Sequence, residues 1–77
     1  MPSTPPFLVI EIISPDDRIS EVRKKLQEYL DAGVLHVWLI DPRLQRLYIC
    51  KYGLHEVPSY SIPELSLTVG PVDLFDQ

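Results

Sequence analysis

Among the side chains of this 77-residue sequence that could do chemistry, Glu11 is the least expected. It sits in Phe7-Leu8-Val9-Ile10-Glu11-Ile12-Ile13, one carboxylate inside a run of apolar residues. Bounded by Pro5-Pro6 and Ser14-Pro15, that run reads as a short strand covered on both faces. An ionised Glu in such a place is costly unless a cation, a metal or hydrogen-bond donors answer it. It could ligate a hard divalent cation if further oxygens converge there, or serve as a general base. It could equally be a sheet-edge Glu that reaches water or pairs with a helix cation. Lys25 is the cation to weigh against it. An ammonium beside the strand could neutralise charge at a scissile phosphate, or it could simply pair with Glu21, four residues earlier.

Other candidates are weaker. Asp16, Asp17 and Asp41 are explained by capping and by the Asp41-Pro42 turn. His36 and His55 have no second ligand at metal spacing, and Cys50 has no partner for a Cys-His dyad or a zinc site. There is no glycine-rich phosphate loop and no G-x-S-x-G elbow. Tyr48, Tyr52 and Tyr60 read as packing or edge residues.

The elements that must position Glu11 and Lys25 follow from periodicity. Residues 1–6 hold three prolines and predict an extended arm. On a strand over about 7–13, Phe7, Val9, Glu11 and Ile13 share one face, and Leu8, Ile10 and Ile12 the other. Ser14 to Asp17 offer N-cap oxygens for a helix over about 18–32. Ile19, Val22, Leu26, Tyr29 and Leu30 recur there at helical spacing, and Gly33 supplies the stop. At about 100° per residue, Lys24 points into water while Lys25 sits at the stripe's edge, on the side of Arg18, Val22 and Tyr29. Of the two lysines, only Lys25 can lean over the sheet. A second strand at about 35–41 must lie parallel to the first across the helix. A third, from residue 45 or 46 to 52, returns antiparallel after Asp41-Pro42. Beyond Gly53 a short strand near 55–60, an irregular 62–69 segment and a last turn at 72–75 are expected. The fold class is therefore α/β, a β-α-β-β core with short irregular C-terminal strands.

The totals bound the rest. A chain of this length makes at most one domain with a marginal core. One cysteine suits a reducing, cytoplasmic setting. No apolar run approaches the ~20 residues of a membrane helix, so no membrane role is expected. The net charge of −4 argues against a general nucleic-acid binder. All seven basic residues nevertheless fall between Arg18 and Lys51, a +3 segment that permits a phosphate-facing surface.

One combination of residues is more specific than any of these. Glu11, Ser14 and Pro15, then Lys25, Leu26 and Tyr29, then Ala32, Gly33 and Val34, then Trp38, Asp41 and Pro42 follow a strand Glu-x-x-Ser-Pro, a helix Lys-Leu-x-x-Tyr, Ala-Gly-Val, and a strand with Trp ending in Asp-Pro. This pattern resembles the Uma-type restriction endonuclease family, abundant in bacteria, and the ending SIPELSLTVGPVDLF looks like its closing segment. The likeness covers nearly the whole chain. That family is similar to the PD-(D/E)xK nucleases, which implies a restriction-endonuclease-like fold, a divalent metal such as Mg²⁺, and hydrolysis of DNA phosphodiesters. Carried over, Glu11 is the metal ligand of the strand. The lysine of the common motif falls at Ile13, and Lys25 on the helix stands in its place. Family members carry a further half upstream, with the Asp that completes the metal site. Residues 7–77 are thus expected to form the C-terminal portion of such a domain, with the Asp supplied by another chain; DNA, and a homo-oligomer or a second chain supplying the missing half, are the partners this implies. The rival expectation is a non-catalytic remnant or interaction module that associates through an exposed sheet edge, with Glu11 and Lys25 as a structural bridge.

Overall fold

In the computed structural model, which describes residues 4–75, the chain runs β1 (Leu8–Ile12), α1 (Ile19–Asp31), β2 (His36–Asp41), β3 (Arg46–Cys50), β4 (Leu54–Val57), β5 (Tyr60–Ile62), a 3₁₀ turn (Pro63–Leu65), β6 (Leu67–Val69) and α2 (Pro71–Phe75). β1 to β4 form one sheet in that order, and β5 and β6 form a separate hairpin. As the crossover requires, β1 lies parallel to β2, with Leu8 opposite His36 and Glu11 opposite Leu39. β3 and β4 then add antiparallel. The mixed α/β class and the β-α-β-β core agree with the expectation from periodicity.

Alternation along β2 divides the core. Val37 and Leu39 face α1, where they bury against Leu26, Val34 and Cys50, with Val9, Ile13, Val22 and Tyr29 around them. Trp38 and Ile40 face the other way and pack with Leu47, Tyr60 and Ile62 beneath the β5–β6 hairpin. Trp38 and Tyr60 stack with ring centroids 3.9 Å apart. The Tyr60 hydroxyl reaches the β2–β3 ladder, 2.8 Å from the Leu39 carbonyl and 2.9 Å from that of Tyr48, and accepts the Tyr48 N–H at 3.1 Å. Desolvation in this position pushes the phenol up to about 12.

Gly33 ends α1 as its position predicts. With φ +95° it lets its own N–H reach the Leu30 carbonyl and that of Val34 the Tyr29 carbonyl, the paired bonds of a Schellman motif. Asp41 closes the β2–β3 turn by accepting the Leu44 N–H at 3.1 Å.

Four local expectations are corrected. The first strand is not covered on both faces: Ile10 is 45% and Ile12 64% exposed, because β1 is an edge of the sheet among the described residues and the second core cluster reaches only as far as Leu8 on it. The N-cap of α1 is Arg18, without a side-chain bond. Asp17 instead folds back to accept the Ser14 N–H at 2.8 Å, closing the preceding turn rather than the helix. β3 ends at Cys50, since Tyr52 and Gly53 both take positive φ to make the following turn. Residues 54–57 and 60–62 are two strands in different sheets, and the segment read as irregular is largely the β5–β6 hairpin. Prolines and short spans hid this pairing, which rests on long-range partners. Met1 to Ser3 of the proline-rich arm lie outside the described residues.

Candidate functional site

Glu11 stands on the helix-facing side of β1, between Val9 and Ile13, both of which pack under α1. Its side chain is 25% exposed, so the carboxylate is sheltered but not sealed. Two residues of α1, four apart and therefore one turn apart on one helix face, reach down to it. Lys25 Nζ lies 3.5 Å from Oε1, and the Tyr29 hydroxyl donates to Oε2 at 2.9 Å. Leu26 between them is fully buried and fixes the helix against the sheet, which holds both polar side chains over the strand.

The pairing shows which carboxylate Lys25 meets. Its ammonium closes on Glu11 across the layers, not on Glu21 along the helix. Lys25 itself remains 55% exposed, so its charge faces both the carboxylate and solvent. Tyr29 was not singled out by sequence as a site residue, being counted in the apolar stripe. Its place four residues from Lys25, on the same side of the helical wheel, was the signal available. The hydrogen bond to Glu11, followed by burial and by the Glu11 charge, raises the Tyr29 phenol above the ordinary tyrosine range.

This arrangement can hold a carboxylate in a set orientation beside a solvent-reaching cation. It does not by itself make a metal shell. Among the described residues no three His, Cys, Asp or Glu side chains converge as metal ligands would. Mg²⁺ seeks near-octahedral oxygen coordination, whereas both oxygens of Glu11 already have a cation or a phenol near them. The residues present therefore do not fit the ion alone.

The other candidates lie elsewhere. His36 Nε2 is 3.5 Å from Glu64 Oε2 without a hydrogen bond, and its ring tilts against Phe7. His55 Nε2–H donates to the Lys51 carbonyl at 2.9 Å. Cys50 is buried, and desolvation raises its thiol, the opposite of what a nucleophile needs. A groove of about 690 Å³ opens between Leu30, His36, Trp38, Cys50, Tyr52 and Tyr60, and Glu11, Lys25 and Tyr29 are not among its walls. We place the candidate site at Glu11 because there β1 and α1 bring a carboxylate and a cation within 3.5 Å, whereas the groove holds Asp31 and Lys51 in its walls without an ion pair between them. Among the described residues no helix is long and apolar enough to cross a membrane.

Comparison with known proteins bears on the family and the fold. Residues 1–72 match the family model Uma2, described as "Putative restriction endonuclease". Among solved structures, the chain is similar to the crystal structure of "a putative nuclease belonging to DUF820 from Anabaena variabilis ATCC 29413". The TM-score is 0.73 and the identity 29%, over 91% of this chain and 44% of that one. The chain thus spans less than half the length of that solved protein. No curated protein matches.

Proposed function

This chain belongs to the Uma2 family of restriction-endonuclease-like proteins, and on that premise we propose that it carries part of a site for metal-dependent hydrolysis of DNA phosphodiesters. The observation that carries the reading is the meeting of Glu11 and Lys25 across β1 and α1, 3.5 Å apart at the sheet edge. In this reading Glu11 is one acidic ligand for a divalent ion, Mg²⁺ being suited to an oxygen-only site. Lys25 presents its exposed ammonium to the charge that develops on the phosphate. Tyr29 occupies the second oxygen of Glu11 and limits how the carboxylate can turn. The remaining acidic oxygens must come from beyond the described residues. Residues 7–77 are then the C-terminal portion of a nuclease domain, in keeping with the 44% of the solved chain that they match.

Incubation of supercoiled DNA with the purified chain, alone and together with a polypeptide that supplies the remaining acidic ligands, in Mg²⁺ or in chelator, tests this. Cutting should require Mg²⁺ and fall by about 100-fold or more in Glu11→Ala and in Lys25→Ala. Equal cutting by Glu11→Ala overturns the assignment.

A second reading has its own support in the absence of converging acidic ligands among the described residues. Glu11, Lys25 and Tyr29 are then a structural bridge between strand and helix. That reading predicts no metal-dependent cutting, and a chain that folds normally when Glu11 and Lys25 are both replaced by leucine.

A further inference from the structure

His36 opens β2 with a ring nitrogen that the fold has sealed in. Its Nε2 exposes less than 1 Å² and has no hydrogen-bond partner, and Glu64 Oε2 stands 3.5 Å away. That is longer than the about 2.7–2.9 Å of a hydrogen bond between a cation and a carboxylate. Two contacts set the ring from the side of β1. The His36 N–H donates to the Phe7 carbonyl at 3.1 Å, and the Phe7 ring lies against the imidazole with centroids 4.8 Å apart. The register partner on β1, Leu8, brings no charge. Asp31 at the end of α1 and Lys51 beyond β3 share a groove wall with His36, and neither pairs with it among the described residues. The 3₁₀ turn between β5 and β6 contributes Glu64. Because Nε2 is already closed off, Glu64 is its partner whatever else lies against the chain.

A bare Nε2 lone pair facing a carboxylate is repelled, and a proton on Nε2 satisfies both atoms. The neutral ring carries that proton in only one of its two tautomers, whereas the charged ring always carries it. Burial of Nε2 works against the charged ring, and the carboxylate works for it. We propose that His36 and Glu64 form a proton-dependent strap, which closes when the imidazole is charged and ties the β5–β6 hairpin to the start of β2. The hairpin is then held at two points. Tyr60 fastens one end of β5 to the β2–β3 ladder, and Glu64, just past the other end, fastens the turn. Only the second point responds to pH near neutrality, since the Tyr60 phenol is pushed up to about 12. The Glu64 carboxyl lies below the ordinary carboxylate range, first through its own backbone N–H and further through the His36 ring. It is therefore ionised wherever an imidazole titrates. The strap contributes fully while Glu64 is ionised and His36 charged. It is lost as pH rises through the imidazole titration, and lost again as pH falls through that of the carboxyl. It rests on contacts within the chain and holds whether or not the nuclease reading does.

Urea denaturation of the full chain at low ionic strength tests it, at about pH 5.5 and about pH 8.5, either side of an ordinary imidazole titration. Glu64→Gln keeps the side-chain length and removes the charge. It should lower the folding equilibrium constant about threefold more at the acid pH than at the alkaline one, the scale of a partly exposed pair. His36→Phe keeps a ring against Phe7 and removes the proton. On that background Glu64→Gln should cost the same at both pH values. His55→Gln, at the other histidine, which bonds the Lys51 carbonyl, should leave the pH dependence of Glu64→Gln in place. Should His36→Phe not fold, the NMR spectrum of the parent chain replaces it. There the Glu64 backbone amide should shift with the same midpoint as the His36 ring. Equal losses in Glu64→Gln at the two pH values overturn the proposal. So does a Glu64 amide that ignores the His36 titration, or a pH dependence that vanishes in His55→Gln.

Discussion

Glu11 is gripped from two sides, by the Tyr29 hydroxyl at one oxygen and the Lys25 ammonium near the other. The phenol and the carboxylate are therefore coupled, and the coupling can be read at the phenol. Because the hydrogen bond to Glu11 is the largest cause of the raised Tyr29 titration, Glu11→Gln should lower it toward the ordinary tyrosine range. An alkaline titration followed by tyrosinate absorbance, with Tyr29→Phe to assign the step, measures this. An unchanged Tyr29 step in Glu11→Gln would mean that the pair does not form in solution. The sign for stability follows the raised value. The contribution of this contact is complete below the ordinary tyrosine pKa and is lost as pH rises through the folded one. Glu11 and Lys25 were both legible in the sequence, one as a carboxylate in an apolar run and the other by its angle on the helical wheel. Tyr29 was not, because a tyrosine at a stripe position serves packing equally well, and only the approach of helix to strand directs its hydroxyl.

At the scale of elements, α1 is what brings Lys25 and Tyr29 over β1, and its C-terminal stop fixes how the chain enters β2. Gly33 holds φ +95°, and a Cβ there would stand 3.4 Å from Pro5 Cγ, at the near limit of ordinary contact. Gly33→Ala should cost roughly 1–2 kcal/mol, mainly from the left-handed backbone. Urea denaturation measures it as a lower midpoint with unchanged slope. A loss near zero would indicate that the Schellman closure is not maintained in solution. This stop was readable from sequence, since glycine after the last apolar repeat has one common use. The start was not. Three polar residues, Ser14, Asp16 and Asp17, offered several local bonds, and the Ser14–Asp17 turn won over the helix N-terminus.

For the molecule as a whole, the β5–β6 hairpin is fastened to the main sheet by Tyr60, through its stack on Trp38 and its hydroxyl at the β2–β3 ladder. Tyr60→Phe keeps the ring and removes the hydroxyl, so it should destabilise by about 1–2 kcal/mol at neutral pH. It should also change the alkaline limb of stability. With the folded phenol at about 12 against an ordinary 10.0, the folded state binds more protons across that interval. Stability therefore falls as pH rises from about 10 toward 12. Thermal melts across this range should show a shallower decline in Tyr60→Phe than in the parent chain. Equal slopes would place the phenol in water rather than at the ladder.

What the sequence determined by itself was local or periodic. It contained the helix stripe and its glycine stop, the alternation that sends Glu11 and Val9 to one face, the parallel pairing that a strand–helix–strand order imposes, and the choice of Lys25 over Lys24. Each follows from geometry repeated within a few residues. The tertiary structure alone decided which strand is an edge, and hence that Ile10 and Ile12 face solvent. It also decided that β4 joins the main sheet while β5 leaves it, and that Tyr60 reaches the backbone of Leu39. These depend on partners distant in the chain, and strand periodicity states which side a residue faces without stating whether anything lies there. The same division holds for the site. Residue type and spacing nominated a carboxylate and a cation, but the packing of α1 on β1 brought them within 3.5 Å and set a tyrosine on the oxygen that the cation does not take.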